Sequence, residues 1–141
     1  MRRVILLATV FTAGWLSVAS AAIINFSATL NAASEVPPKT SGGTGDMLGT
    51  LNTATKDFTY TVTFENLTGP ATMAHFHGPA AVGANAGVVV PLGNAPTSPI
   101  HGNKTLTDPQ IKDLEAGKWY VNVHTAANPG GEIRGQVTEK K

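Results

Sequence analysis

His75 and His77 stand two residues apart in Met73-Ala74-His75-Phe76-His77, and His124 lies in Trp119-Tyr120-Val121-Asn122-Val123-His124-Thr125. On a β-strand, side chains i and i+2 leave the same face, roughly 6.5–7 Å apart along the chain. Two imidazoles at that spacing can lean onto one metal ion, and Met73 shares their face. If the strand bearing His124 neighbours this one, three ring nitrogens meet. Three imidazoles suit copper or zinc, with a further position open to solvent or substrate. The solvated face of a surface strand also carries polar residues at alternate positions, so the pair alone leaves both readings standing. His101, beside Gly102, reads as a surface loop residue, with a fourth ligand or a second site as the alternative.

Other chemistries find little support. There is no cysteine, which excludes a disulfide framework, a thiolate metal site and a Cys nucleophile. No serine sits in a G-x-S-x-G elbow, and no glycine-rich phosphate loop leads from a strand into a helix. Asp108, Asp113 and Glu115 gather on one short helical segment, where capping and solvation account for them. Glu132 and Arg134 share a strand face and are expected to point outward, where they could simply pair.

The elements that must position the histidines are short and frequently punctuated by Gly and Pro. Phe58 to Glu65 alternates Phe, Tyr, Val, Phe against Thr, Thr, Thr, Glu, the pattern of a half-buried strand. Its aromatic stripe reads as core. Ile24 to Leu30, Asp46 to Asn52, Met73 to His77, Val88 to Leu92, Trp119 to Thr125 and Glu132 to Val137 read as further strands. In the last, Ile133 and Val137 are expected to face inward. Gly78 to Gly87 and Gly93 to Gly102 read as loops. One helix of about two turns is expected, with Asp108 as N-cap, Pro109 in its first turn and Gly117 closing it. Some seven strands separated by turns predict an all-β fold, an antiparallel sandwich or barrel with one short connecting helix.

The first residues form three zones. Arg2 and Arg3 precede an apolar run from Val4 to Val18, and Ala19-Ser20-Ala21 supplies a small-x-small cleavage pattern. This is the signature of a secretory signal peptide over residues 1–21, cut after Ala21 or, alternatively, Ala22. The run is shorter than the roughly 20 apolar residues that span a bilayer, and no other segment is long and apolar enough to do so. Export to the periplasm or the medium is therefore expected, with residues 22–141 as a single domain. Cleavage removes two of the ten basic residues and leaves eight against nine acidic, a net charge of −1. That balance does not fit a nucleic-acid binder.

Four stretches resemble the CHRD domain, the module named for chordin. They are Phe26-Ser27-Ala28-Thr29-Leu30-Asn31-Ala32-Ala33-Ser34-Glu35-Val36-Pro37-Pro38, Ala74-His75-Phe76-His77-Gly78-Pro79-Ala80, Leu114 to Thr125, and Asn128-Pro129-Gly130-Gly131-Glu132-Ile133-Arg134-Gly135-Gln136. They occur in order over nearly the whole predicted domain. The resemblance implies an immunoglobulin-like, Greek-key β-sandwich in an exported bacterial protein, and the family's histidine motif coincides with His75, His77 and His124. A weaker likeness to copper/zinc superoxide dismutase, also a β-sandwich, implies a His-x-His pair on one strand, a further copper histidine on a late strand, and an arginine near the copper. Arg134 could fill that last part. The disulfide and the zinc half of that site have no counterpart here, so a copper-only site is the most the likeness supports.

Three readings follow. The first is copper handling or buffering through His75, His77 and His124, with zinc as the alternative metal and Met73 as a soft ligand for Cu(I). Asn122, Glu132 and Arg134 would then support the ligands from behind. The second is superoxide dismutation at the same site, with Arg134 guiding the anion. The third is a metal-free adhesion or protein-binding module.

Overall fold

A computed structural model describes residues 21–141, so the segment read as a signal peptide lies, but for Ala21, outside the described residues. Eight strands form one antiparallel sheet: β1 (Ile23–Asn31), β2 (Thr44–Asn52), β3 (Asp57–Glu65), β4 (Ala71–His77), β5 (Val88–Asn94), β6 (Ile100–Thr105), β7 (Trp119–Thr125) and β8 (Ile133–Glu139). A helix, α1 (Asp108–Glu115), joins β6 to β7. The strand order is β5-β4-β7-β8-β1-β2-β3-β6. The terminal strands β5 and β6 come into contact without forming a ladder, so the sheet is a nearly closed barrel.

Alternation in the sequence sets what faces the interior. Phe26, Ala28 and Leu30 from β1, Phe58, Tyr60 and Val62 from β3, Ala74 and Phe76 from β4, and Trp119, Val121 and Val123 from β7 are all buried. Phe58 sits at the centre of their packing. Its ring meets Phe26 at 6.0 Å, Phe76 at 5.6 Å and Trp119 at 6.2 Å, edge-on in each case. Such contacts add to the area they bury, and here they tie β1 and β3 to β4 and β7 across the interior. The strands that carry the histidines therefore rest on a rigid aromatic floor.

Three local expectations change. The first is the extra strand β6, which lies partly within a stretch read as loop. Ile-His-Gly-Asn-Lys-Thr carries one core residue, Ile100, and its strand character comes from its ladder to β3. Gly102 allows that ladder, because a Cβ there would run into the ring of Tyr60 on β3. The second is the helix cap, which is Thr107, not Asp108. Thr107 Oγ1 accepts from Gln110 N–H and the Gln110 side chain accepts from Thr107 N–H, a capping box. Asp108 lies inside the first turn and pairs with Lys56 at 2.7 Å. The third is the outward face of β7 and β8. All seven residues of β7 are buried, as are Glu132 and Arg134. The loops 78–87 and 126–132 fold over this face, so residues expected to point outward lie beneath them.

Candidate metal centre

The register of three adjacent strands builds the site. His75 pairs with Asn122 and His77 with Tyr120 across β4 and β7, while Met73 pairs with His124. Asn122 pairs in turn with Arg134 across β7 and β8. Paired residues share a face of the sheet with Cβ atoms about 4.5–5.5 Å apart. One outer face thus gathers the three strand histidines, and one ligand atom from each lies within 4.8 Å of the others. His101 is elsewhere. It sits exposed on β6 opposite Thr61, with its Nδ1 3.0 Å from Thr61 Oγ1. Met73 is at the rim, 36% exposed.

The covering loops fix which ring nitrogens are free. His77 Nδ1–H donates to Ala86 O at 3.0 Å, from the loop 78–87. His124 Nδ1–H donates to Pro129 O at 2.9 Å, from the loop 126–132. A carbonyl only accepts, so each neutral ring has its proton on Nδ1 and a lone pair on Nε2. Both Nε2 atoms point at the side-chain amide of Asn122, whose Oδ1 is 3.0 Å from each. His75 Nδ1 lies 3.1 Å from His124 Nε2. Backbone partners that set a tautomer in this way are what metal-binding histidines usually have.

The electrostatics keep His75 and His77 neutral. Burial, reinforced by the neighbouring His124 and His77, lowers the pKa of His75 to about 4. Burial also lowers that of His77, against the opposing hydrogen bonds from Ala86 and Asn122. Near neutral pH both offer lone pairs instead of protons. Burial raises the pKa of Glu35, which accepts from Asn122 Nδ2 at 3.4 Å.

Around this centre lies a shell of fixed side chains. Tyr120 stacks on His77 with ring centroids 4.8 Å apart and planes within 5°. The Arg134 guanidinium lies 3.4 Å from the Tyr120 ring centroid and donates to Ala84 O at 2.6 Å and Asn85 Oδ1 at 2.9 Å. It therefore pins the loop that carries Ala86. Glu132 accepts from Thr68 N–H, Thr68 Oγ1, Thr125 Oγ1 and Asn128 Nδ2, tying together the segments that flank Pro129. Of the residues expected behind the ligands, Asn122 contacts two of the rings directly, whereas Glu132 and Arg134 hold the covering segments. Glu35, Tyr120 and the two carbonyl acceptors were not legible in the sequence, because their part depends on loops that fold back over the strands.

A nearly closed antiparallel barrel with a three-histidine cluster on its outer face, able to hold a metal ion, is the class that fold and site define. The CHRD domain model matches residues 26–137, which takes in all three histidines, and the chain belongs to the CHRD-domain family. No curated protein and no solved structure gives a significant match. Among the described residues, no helix is long and apolar enough to cross a membrane.

Proposed function

We propose that this CHRD domain is an exported copper-binding protein that holds the ion through His75, His77 and His124 and serves in copper handling or buffering. The observation that carries the reading is the convergence of three imidazoles, two of which, His77 and His124, direct their protons away from the common centre. An imidazole set suits both copper and zinc, and the general order of affinities places Cu(II) above Zn(II). Met73, at the rim opposite His124, offers a soft thioether for Cu(I). Export rests on the three-zone pattern of residues 1–21, and would put the site where copper meets no competing thiol of this chain. The immunoglobulin-like two-layer description belongs to the same proposal. Ring contacts across the interior between β3 and β4 support it.

The test is a titration of the purified protein with Cu(II), Cu(I) and Zn(II), beside a His75→Ala/His77→Ala/His124→Ala variant, with electron paramagnetic resonance of the cupric form. One copper per chain with nitrogen hyperfine structure, lost in the variant, is the expected result. No uptake, or uptake unchanged in the variant, leaves the metal-free adhesion reading in its place. Mass analysis of protein secreted by a bacterial host checks export, with a first residue of Ala22 expected.

Superoxide dismutation is the second reading, favoured by the position of Arg134 across the ladder from Asn122. Arg134 is only 2% exposed, so guiding an anion would require the loop 78–87 to open. A superoxide-removal assay on the copper-loaded protein, compared with Arg134→Lys, separates the two readings.

A further inference from the structure

The donor set extends beyond the imidazoles. Asn122 Oδ1 is 3.0 Å from His77 Nε2 and 3.0 Å from His124 Nε2, and His124 Nε2 is 3.1 Å from His75 Nδ1. Two atoms bound to one ion at about 2.0–2.2 Å, at angles from square to tetrahedral, stand about 2.8–3.6 Å apart. All three spacings fall in that window.

For neutral rings, a proton explains only the contact between His75 Nδ1 and His124 Nε2. His77 and His124 spend their Nδ1 protons on Ala86 O and Pro129 O, and a neutral ring has no second one. Their Nε2 lone pairs therefore face an amide oxygen that is itself an acceptor. Turned by 180°, the amide would donate to both nitrogens and present its oxygen to Glu35. It is instead oriented with Nδ2 donating to Glu35 Oε1 and Oδ1 facing the rings. Acceptors converging from several sides are mutually favourable when a cation stands among them.

We propose that Asn122 Oδ1 is a fourth metal ligand, making a neutral three-histidine, one-asparagine site. The proposal rests on the metal reading above. A carbonyl-type oxygen is a hard donor, suited to divalent ions, whereas Cu(I) prefers soft thiolate or thioether sulfur. Asn122 is thus the residue that biases the site toward Cu(II) and Zn(II) over Cu(I). Glu35 holds the amide in the binding orientation, and Gly131 leaves room for both side chains.

The experiment is competition against chromophoric chelators, with Zn(II) and with Cu(I) separately, for wild type, Asn122→Leu and Asn122→Asp. Leucine keeps the branched shape and removes the donor. Asn122→Leu is expected to lose about 10–100-fold in Zn(II) affinity and less than about threefold in Cu(I) affinity. Asn122→Asp, with an anionic oxygen in place of the amide oxygen, is expected to raise the Zn(II)-to-Cu(I) preference by about tenfold or more. An equal fall for both ions in Asn122→Leu would show that Asn122 only positions the histidines, and an unchanged Zn(II) affinity would also overturn the assignment. If Asn122→Leu does not fold, as judged by circular dichroism, Asn122→Asp decides, and an unchanged preference refutes the proposal. Failure of the wild type to take up either ion sinks the metal reading itself, and this assignment with it.

Discussion

Gly131 offers a sharp test of how the site is packed. It ends the Asn128–Gly131 turn at φ +122°, a conformation essentially confined to glycine. A Cβ at this position would collide with Glu35 Oε1 and lie 2.7 Å from Glu35 Cδ and 2.8 Å from Asn122 Nδ2. Gly131→Ala therefore adds about 1–3 kcal/mol of backbone strain. Displacing Glu35 from Asn122 costs about 1–3 kcal/mol more through a broken buried hydrogen bond. In a domain of this size each kcal/mol moves the unfolding midpoint by about 3–5 °C, so a drop on the order of 10 °C is expected. Gly130 is the control, because a Cβ there meets nothing within 4 Å. Calorimetry in the presence of a chelator, followed by Zn(II) competition, measures both consequences. Gly131→Ala should melt well below Gly130→Ala and bind Zn(II) about tenfold more weakly, through the displaced Asn122. If the two variants match in melting and in affinity, the close packing of Gly131, Glu35 and Asn122 does not support the site.

Two pH-dependent predictions follow from the buried groups. Burial would raise the pKa of Glu132, but hydrogen bonds from Thr125, Thr68 and Ser41 outweigh it and leave the carboxyl at about 2. Because its folded value is depressed, the stabilisation is present above about pH 4.5 and is lost as pH falls toward 2. Glu132→Gln should remove on the order of 2 kcal/mol at pH 7 and flatten the acid limb of the urea-denaturation profile, whereas profiles that stay parallel would contradict the carboxylate's role. His75 also has a depressed folded value, so the unfolded chain takes up a proton first on acidification. The metal-free protein should therefore lose stability as pH falls from 6.5 toward 4. Nuclear magnetic resonance of the ring in chelator should show a midpoint near 4, and one near 6.5 would mean that His75 is solvated.

Much of the scaffold was legible because strand alternation is a local signal. Phe58, Tyr60 and Val62 point inward as their spacing requires, and Trp119, Val121 and Val123 do the same. His75, His77 and His124 were legible as candidates for the same reason, since i and i+2 positions must share a face. Their meeting depends on β4 lying beside β7, a non-local pairing that alternation cannot specify. β6 carries no such local signal, because its residues are polar apart from Ile100 and a neighbouring strand imposes its conformation. Glu132 and Arg134 point outward as expected yet are buried, because the period-two rule assigns a side to a residue and says nothing of what covers that side. Asp108 and Thr107 both have cap chemistry, and Gln110 three residues on from Thr107 is the capping-box signal that decides for Thr107.

The burial of β7 on both faces bears directly on why the site exists. Strands covered on both sides are usually apolar on both, yet one face of β7 presents Tyr120, Asn122 and His124. Burying polar groups is costly unless each finds a partner. Among the described residues every buried side-chain nitrogen and oxygen has one. The balance of those partners is lopsided, however. His77 Nε2, His124 Nε2 and Asn122 Oδ1 all face inward as acceptors, and His75 Nδ1 supplies at most one proton. Arg134, the nearest fixed cation, directs its guanidinium to Ala84 and Asn85 and so does not serve these acceptors. A polar network that only stabilised the fold would match donors to acceptors. An excess of converging lone pairs, held by backbone carbonyls from two loops and, at His75 and His77, kept unprotonated by burial, is instead the arrangement that a bound cation completes.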